Sequence, residues 1–166
     1  MKNKEQFFKK VYAENKDKIY RLCLGFTGNR MDADDLMQEI VLAIWKGLSQ
    51  FRNESAISTW VYRVATNTAI LFTRKKKRMV KQFVEKDLDV LKVNETIIDH
   101  LSNEQKINQL YTEIAKLKEI DRIIIGLLLE NNPYKEIANI TGMSSTNIGV
   151  RINRIKKTLR KKLQKL

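Results

Sequence analysis

Cysteine, proline and histidine each occur once in the 166 residues, and glycine six times. A single cysteine excludes an internal disulfide, and its place in the apolar run Leu22-Cys23-Leu24 marks it as a core residue in a reducing compartment. The lone histidine, His100, leaves no histidine-centred triad, no histidine metal pair and no mixed Cys/His zinc set. Glycine-rich phosphate loops are missing as well. Asp34 and Asp35 are sequence neighbours pointing to different helix faces, a poor acid/base couple of the glycosidase kind. These absences argue against an enzyme, and neither a cofactor nor a metal is expected. The longest apolar run, Ile123 to Leu129, is far below the roughly 20 residues that span a bilayer. The start MKNKEQFFKKVY lacks the apolar segment of a signal peptide. A cytoplasmic protein without membrane insertion is expected, so the Asn-x-Ser/Thr triplets at Asn53, Asn94 and Asn139 carry no glycosylation meaning.

Acidic residues are in the minority: 32 Lys and Arg stand against 19 Asp and Glu, for a net charge of +13 and a pI near 9.8. Clustered cations release counterions from a phosphate backbone, so nucleic acid is the first partner to consider and an anionic membrane surface the second. The charge is unevenly placed. Residues 51–80 carry seven basic and one acidic residue, and residues 106–166 carry thirteen and five. Between them, residues 81–105 carry three and six. That polar, weakly periodic middle suits a flexible linker, which predicts two domains at 1–80 and 106–166 with the linker at 81–105.

Apolar spacing is helical almost throughout, which predicts an all-α protein of two small helical domains. One helix is expected to start at an Asp32 N-cap, with Met31 stapled onto Leu36 and a stripe of Leu36, Ile40, Ile44 and Leu48 widened by Val41 and Trp45. A second is expected from about Ser55, burying Trp60, Val64, Ala65, Thr68 and Leu71 before it ends in the basic run Arg74 to Arg78. Farther on, Pro133 opens a short helix through Ile140, Thr141-Gly142-Met143 supplies a turn, and Ser144 caps a longer helix burying Ile148, Ile152, Ile155 and Leu159. Ala138, Gly142 and Ile148 have the spacing of a helix-turn-helix.

Two stretches taken together carry a family resemblance. DADDLMQEIVLAIWKGLSQFRNESAISTWVYRVATNTAI resembles the second conserved region of bacterial RNA polymerase sigma factors, and Leu117 to Leu163 resembles their fourth. The missing third region and the short length match the extracytoplasmic-function (ECF) group of the sigma-70 family. The resemblance implies that Asp34, Asp35, Gln38 and Glu39 face core RNA polymerase. An acidic, amide-bearing face in a basic chain repels DNA and suits a basic protein surface, although Asp34 and Asp35 would also complement a helix dipole.

The resemblance further places promoter melting and minus-ten reading on Trp60, Tyr62, Arg63 and Asn67, where aromatic faces stack on unpaired bases. It places a flipped base in the loop from Phe51 to Ile57, which includes Arg52 and Asn53, with Phe51 and Asn67 at the matching positions. Trp60 and Tyr62 are two residues apart and do not share a helical face, so one of the two is expected in the core. Arg74, Lys75, Lys76, Lys77 and Arg78 would grip phosphate without reading sequence. In the second domain the helix from Ser145 would enter the major groove of the minus-thirty-five element, presenting Ser145, Thr146, Asn147, Gly149, Val150, Asn153, Arg154 and Lys157. Gly149 and Val150 depart from the polar or basic residues usual there, so fewer direct base contacts are expected. The tail from Lys156 to Lys165 would meet phosphate or polymerase. Promoter DNA, core polymerase and an anti-sigma factor are the implied partners. A stand-alone helix-turn-helix regulator, dimerising through its N-terminal helices on duplex operator DNA, and a basic peripheral membrane protein are the other readings.

Overall fold

The computed structural model describes the backbone of residues 2–84 and 103–164 and the side chains of residues 3–80 and 103–164. The expected linker, apart from 103–105, therefore lies largely outside the described residues, as do His100, Asn94 and Lys165. Among the described residues every regular element is helical. They are α1 (Lys2–Thr27), α2 (Arg30–Gly47) with a 3-10 turn at Leu48–Gln50, α3 (Ile57–Val84), α4 (Asn103–Ala115), α5 (Glu119–Leu129), α6 (Tyr134–Thr141) and α7 (Ser145–Leu163).

Helix α1 occupies the centre. Val11, Ile19, Leu22, Cys23 and Phe26 are all buried on it, and it packs against α2 and α3 on one side and α4 and α5 on the other. The remaining seams join α3 to α6 and set α7 against α4, α5 and α6. The two helical units thus share one continuous apolar core. Burial pushes the Cys23 thiol up to about 12, which keeps it protonated and inert. Where α1 ends, Gly28 adopts φ +76°, and a Cβ there would lie 2.9 Å from Cβ of Ala115, so only glycine lets α4 approach so closely.

Several local expectations are corrected. The α2 cap is Asn29, whose side chain accepts from the Asp32 backbone N–H at 2.9 Å, so Asp32 lies in the first turn rather than at the cap. Met31 is 74% exposed while Leu36 is fully buried, so no staple forms. Ala33, Leu36, Ile40 and Ile44 form the buried stripe. Trp45 leaves it, standing edge-on to Phe8 at 5.1 Å with the Lys4 ammonium 4.8 Å from its ring.

Helix α3 begins at Ile57 and turns a different face inward from the one expected. Leu71 is exposed, Trp60, Val64 and Thr68 are only partly covered, and the buried face is Val61, Tyr62, Ala65, Thr66, Ala69 and Thr73. Buried threonines look polar in sequence, but here the Thr66 hydroxyl donates to the Tyr62 carbonyl at 2.9 Å and that of Thr73 to Ala69 at 3.0 Å. With the hydroxyls satisfied by the helix's own backbone, their methyl groups pack like small aliphatics.

The helix-turn-helix forms as expected. Ile137 and Ala138 are buried in α6, and Pro133 stands at its N-cap position. Gly142 takes φ +74° with its N–H bonded to the Ala138 carbonyl at 2.8 Å, the left-handed exit that glycine makes cheaply. The Ser144 hydroxyl accepts the Asn147 N–H at 3.3 Å, and Ile148, Ile152, Ile155 and Leu159 face the core. Because Leu36 is completely buried beneath α1 and α3, Leu36→Ala should lower the unfolding free energy by about 2–5 kcal/mol in urea titration; a loss below about 1 kcal/mol would contradict this packing.

Candidate functional site

Three surfaces carry the candidate residues. The first is acidic and lies on α2. Asp34, Asp35, Gln38 and Glu39 are all exposed. Their spacing puts Asp35 and Glu39 on one stripe and Asp34 and Gln38 on the next. The neighbouring Asp34 carboxylate and burial together hold the Tyr20 phenol above its ordinary range. Asp35 and Glu39 line an open cavity of about 350 Å³ with Lys75, Lys76, Met79 and Val80 of α3. Asp32 ion-pairs with Lys76; burial pushes the Asp32 carboxyl upward, but the hydrogen bonds from Lys76 and Asn29 outweigh it and hold the group low.

The second surface is a cavity of about 620 Å³ around the loop between α2 and α3, whose walls include Phe51, Arg52, Thr59, Trp60 and Arg63. Trp60 is partly covered, with its ring centroid 5.5 Å from that of Phe51, and it lies close over Gly47. Asn53 adopts φ 58°, a left-handed conformation that asparagine tolerates well, and this turns the loop sharply. Arg63 and Asn67 are exposed on α3. Tyr62 is not part of the surface: at 3% exposure it belongs to the core, which corrects its expected stacking role and settles which of the two aromatics points inward.

Helix α6 closes this cavity. Glu136 and Asn139 complete its walls. The Thr59 hydroxyl donates to the Glu136 carboxylate, and Arg63 Nη2 donates to the Asn139 carbonyl at 2.7 Å. The basic run Arg74, Lys75, Lys76, Lys77 and Arg78 lies within α3 rather than at its end, and all five side chains are exposed. Arg74 pairs with Glu119 of α5 at 3.0 Å.

The third surface is α7. Ser145, Thr146, Asn147, Asn153, Arg154 and Lys157 are exposed, and Val150 is 65% exposed. Gly149 is half-buried, and a Cβ there would lie 3.6 Å from the Tyr134 ring, so α6 covers it. Arg154 is held by Asp121 of α5, with Nη2 3.2 Å from Oδ2, and Arg151 donates to the same carboxylate at 2.6 Å. Both arginines are thus aimed back toward α5. Sequence reasoning missed Thr59, Asp121, Glu136, Asn139 and Arg151. A helical periodicity cannot show a partner from another element, although the scarcity of acids in residues 106–166 was a signal that each one is taken.

A helix-turn-helix joined to a second helical unit with a cationic helix of its own has the build of a DNA-binding protein. Residues 11–79 match the Sigma-70 region 2 family and residues 107–159 the Sigma-70, region 4 family. The chain is similar to the ECF RNA polymerase sigma factor SigW of Bacillus subtilis, with 31% identity over 91% of this chain and 86% of that protein. RNA polymerase sigma factor SigV of the same organism is 29% identical over 92% and 88%. A solved structure of the sigma factor RpoE in complex with the anti-sigma factor NepR from Bartonella quintana has the same fold, with a TM-score of 0.68, 19% identity, and coverage of 100% of this chain and 99% of that one. The chain belongs to the ECF sigma factors of the sigma-70 family, the alternative sigma factors that direct RNA polymerase to promoters.

Since α6 closes the cavity beside Trp60 through Glu136, removing that carboxylate should expose it. Glu136→Ala is expected to raise affinity for a short random-sequence single-stranded DNA pool by about two- to tenfold, the worth of one or two hydrogen bonds. Fluorescence anisotropy reads the change, and unaltered affinity would count against this cavity as a site for unpaired bases.

Proposed function

We propose that the three surfaces divide the work of promoter recognition. The α2 face bearing Asp35, Gln38 and Glu39, with Asp34 beside it, docks on a basic surface of core polymerase. The cavity holding Phe51, Arg52, Asn53, Trp60 and Arg63, with Asn67 and the run from Arg74 to Arg78, takes the melted minus-ten strand. Stacking contributes about 1–3 kcal/mol per base, comparable to the cost of unstacking a step, so the aromatic pair captures a strand as it opens. Helix α7 reads the minus-thirty-five element through the exposed side chains from Ser145 to Lys157. The factor works by binding alone, in the cytoplasm, and performs no chemical step. The observation that carries this reading is the free exposure of Asp35, Gln38 and Glu39 on a chain otherwise cationic, because burial of those groups would remove the docking face.

DNA engagement on this reading requires rearrangement. Residues 1–80 and 106–166 act as separate modules on promoter DNA, so Glu136 leaves Thr59, and Arg154 exchanges Asp121 for a phosphate or a base edge. A protein regulator of the anti-sigma class would act on this equilibrium, a suggestion supported by the fold shared with a sigma factor solved alongside one. The stand-alone regulator is less well supported, because the N-terminal helix it would use to dimerise has Val11, Ile19, Leu22, Cys23 and Phe26 inside its own chain.

Asp35→Arg with Glu39→Arg should weaken association with core polymerase by roughly 2 kcal/mol or more in gel filtration or a binding titration. Equal association by this variant would overturn the docking assignment. Trp60→Ala should leave that association intact and reduce permanganate-reactive thymines at a responsive promoter; unchanged reactivity would remove Trp60 from the melting surface.

A further inference from the structure

A third cavity lies between the two helical units, next to the one lined by Asp35 and Glu39, with which it shares Asp32, Phe72, Lys76 and Val80. It measures about 640 Å³, the size of a small-ligand site, and both helical units build it. Phe26, Phe72 and Val80 supply apolar wall from α1 and α3, Ala115 and Arg122 close it from α4 and α5, and Lys76 and Lys77 stand on α3 beside it. The one acid in the lining, Asp32, is already paired with Lys76.

Arg122 is the unusual member. It is 5% exposed, deeper than any other basic side chain among the described residues. Its Nη1 donates to the Phe26 carbonyl at 2.8 Å, capping the negative end of α1, and its guanidinium lies 5.3 Å from the Phe26 ring centroid. Nε is buried and has no hydrogen-bond partner, and no carboxylate among the described residues forms an ion pair with this group. Burial pulls the guanidinium below its usual range, with Glu119 opposing only in part. A buried cation left without an anion is costly. With Nη1 occupied and Nε enclosed, Nη2 is the donor left to meet a carboxylate in a charge-assisted hydrogen bond.

We propose that this cavity is a binding site for a small amphipathic carboxylate, its head on the Arg122 guanidinium and its apolar body along Phe26, Phe72 and Val80. The monoanion supplies the missing counterion, and the largely apolar wall selects a hydrocarbon body over a sugar or nucleotide. Because α1 and α3 form one side and α4 and α5 the other, an occupant contacts both units at once. It binds the closed arrangement better than any arrangement that separates them, and by linkage it holds the factor closed. The binding site goes beyond the promoter-binding reading, and only its effect on closure rests on the rearrangement proposed there.

Titration calorimetry of the full chain with sodium octanoate, kept below its micelle-forming range, tests the site. One saturable site is expected, at least about tenfold tighter than for the uncharged 1-octanol, because the head is held by a charge-assisted hydrogen bond. Arg122→Gln should abolish that preference for the carboxylate. As Arg122 also caps α1, Val80→Trp serves as a second variant at an exposed wall position. It should retain the far-ultraviolet dichroism of the parent and bind octanoate at least several-fold more weakly. The proposal fails if octanoate binds no better than octanol, or if the folded Val80→Trp variant binds it as the parent does.

Discussion

Everything in this molecule depends on α1 being buried on two sides. A helix that faced only α2 and α3 would make a small three-helix unit with one solvated surface. Here Leu22, Cys23 and Phe26 extend the apolar stripe far enough round for α4 and α5 to close over it, and Leu22 reaches Gly126 of α5. Gly28 removes the last steric obstacle, beside Ala115. Apolar contact of this kind is non-directional and sets the proximity of the two units. The polar contacts at the rim then fix their register.

The ion pairs among them follow one pattern. Cations of the first unit meet carboxylates of the second: Arg21 with Glu130 through a two-pronged contact at 2.6 and 2.8 Å, Arg30 with Glu104 at 2.6 Å, and Arg74 with Glu119. Within the second unit Asp121 holds Arg151 and Arg154. Several of the groups suited to phosphate are therefore neutralised by the protein's own carboxylates in the closed arrangement. Arg30 and its partner are well exposed, so their pair contributes little, while Glu130 and Asp121 are largely covered and their pairs are less screened by solvent. The closed arrangement thus competes with DNA by charge substitution: carboxylates occupy cations that a backbone phosphate would otherwise meet.

The all-helical class and the helix-turn-helix were legible because their signals are local. Ser144, Gly142 and the spacing of Ile148, Ile152, Ile155 and Leu159 each act within a few residues of themselves, so periodicity and capping rules reach them. The acidic stripe on α2 was legible for the same reason. The inward face of α3 was not, because Thr66 and Thr73 bury hydroxyls that only the folded helix satisfies, and a hydropathy pattern places them outside. Asn29 displaced Asp32 as the cap since both residue types serve and sequence alone does not rank them. The cover of α6 over the Trp60 cavity, the hold of Asp121 on Arg154 and the burial of Arg122 are pairings across 33 to 96 residues, which no local rule reaches.

The burial of Cys23 limits the thiol chemistry open to this chain. With its sulfur enclosed by α1's neighbours and locked in the protonated state, the thiol is neither a nucleophile nor a metal ligand while the chain is folded. With one cysteine in the sequence and its sulfur enclosed, the folded chain presents no exposed sulfhydryl to oxidants or electrophiles.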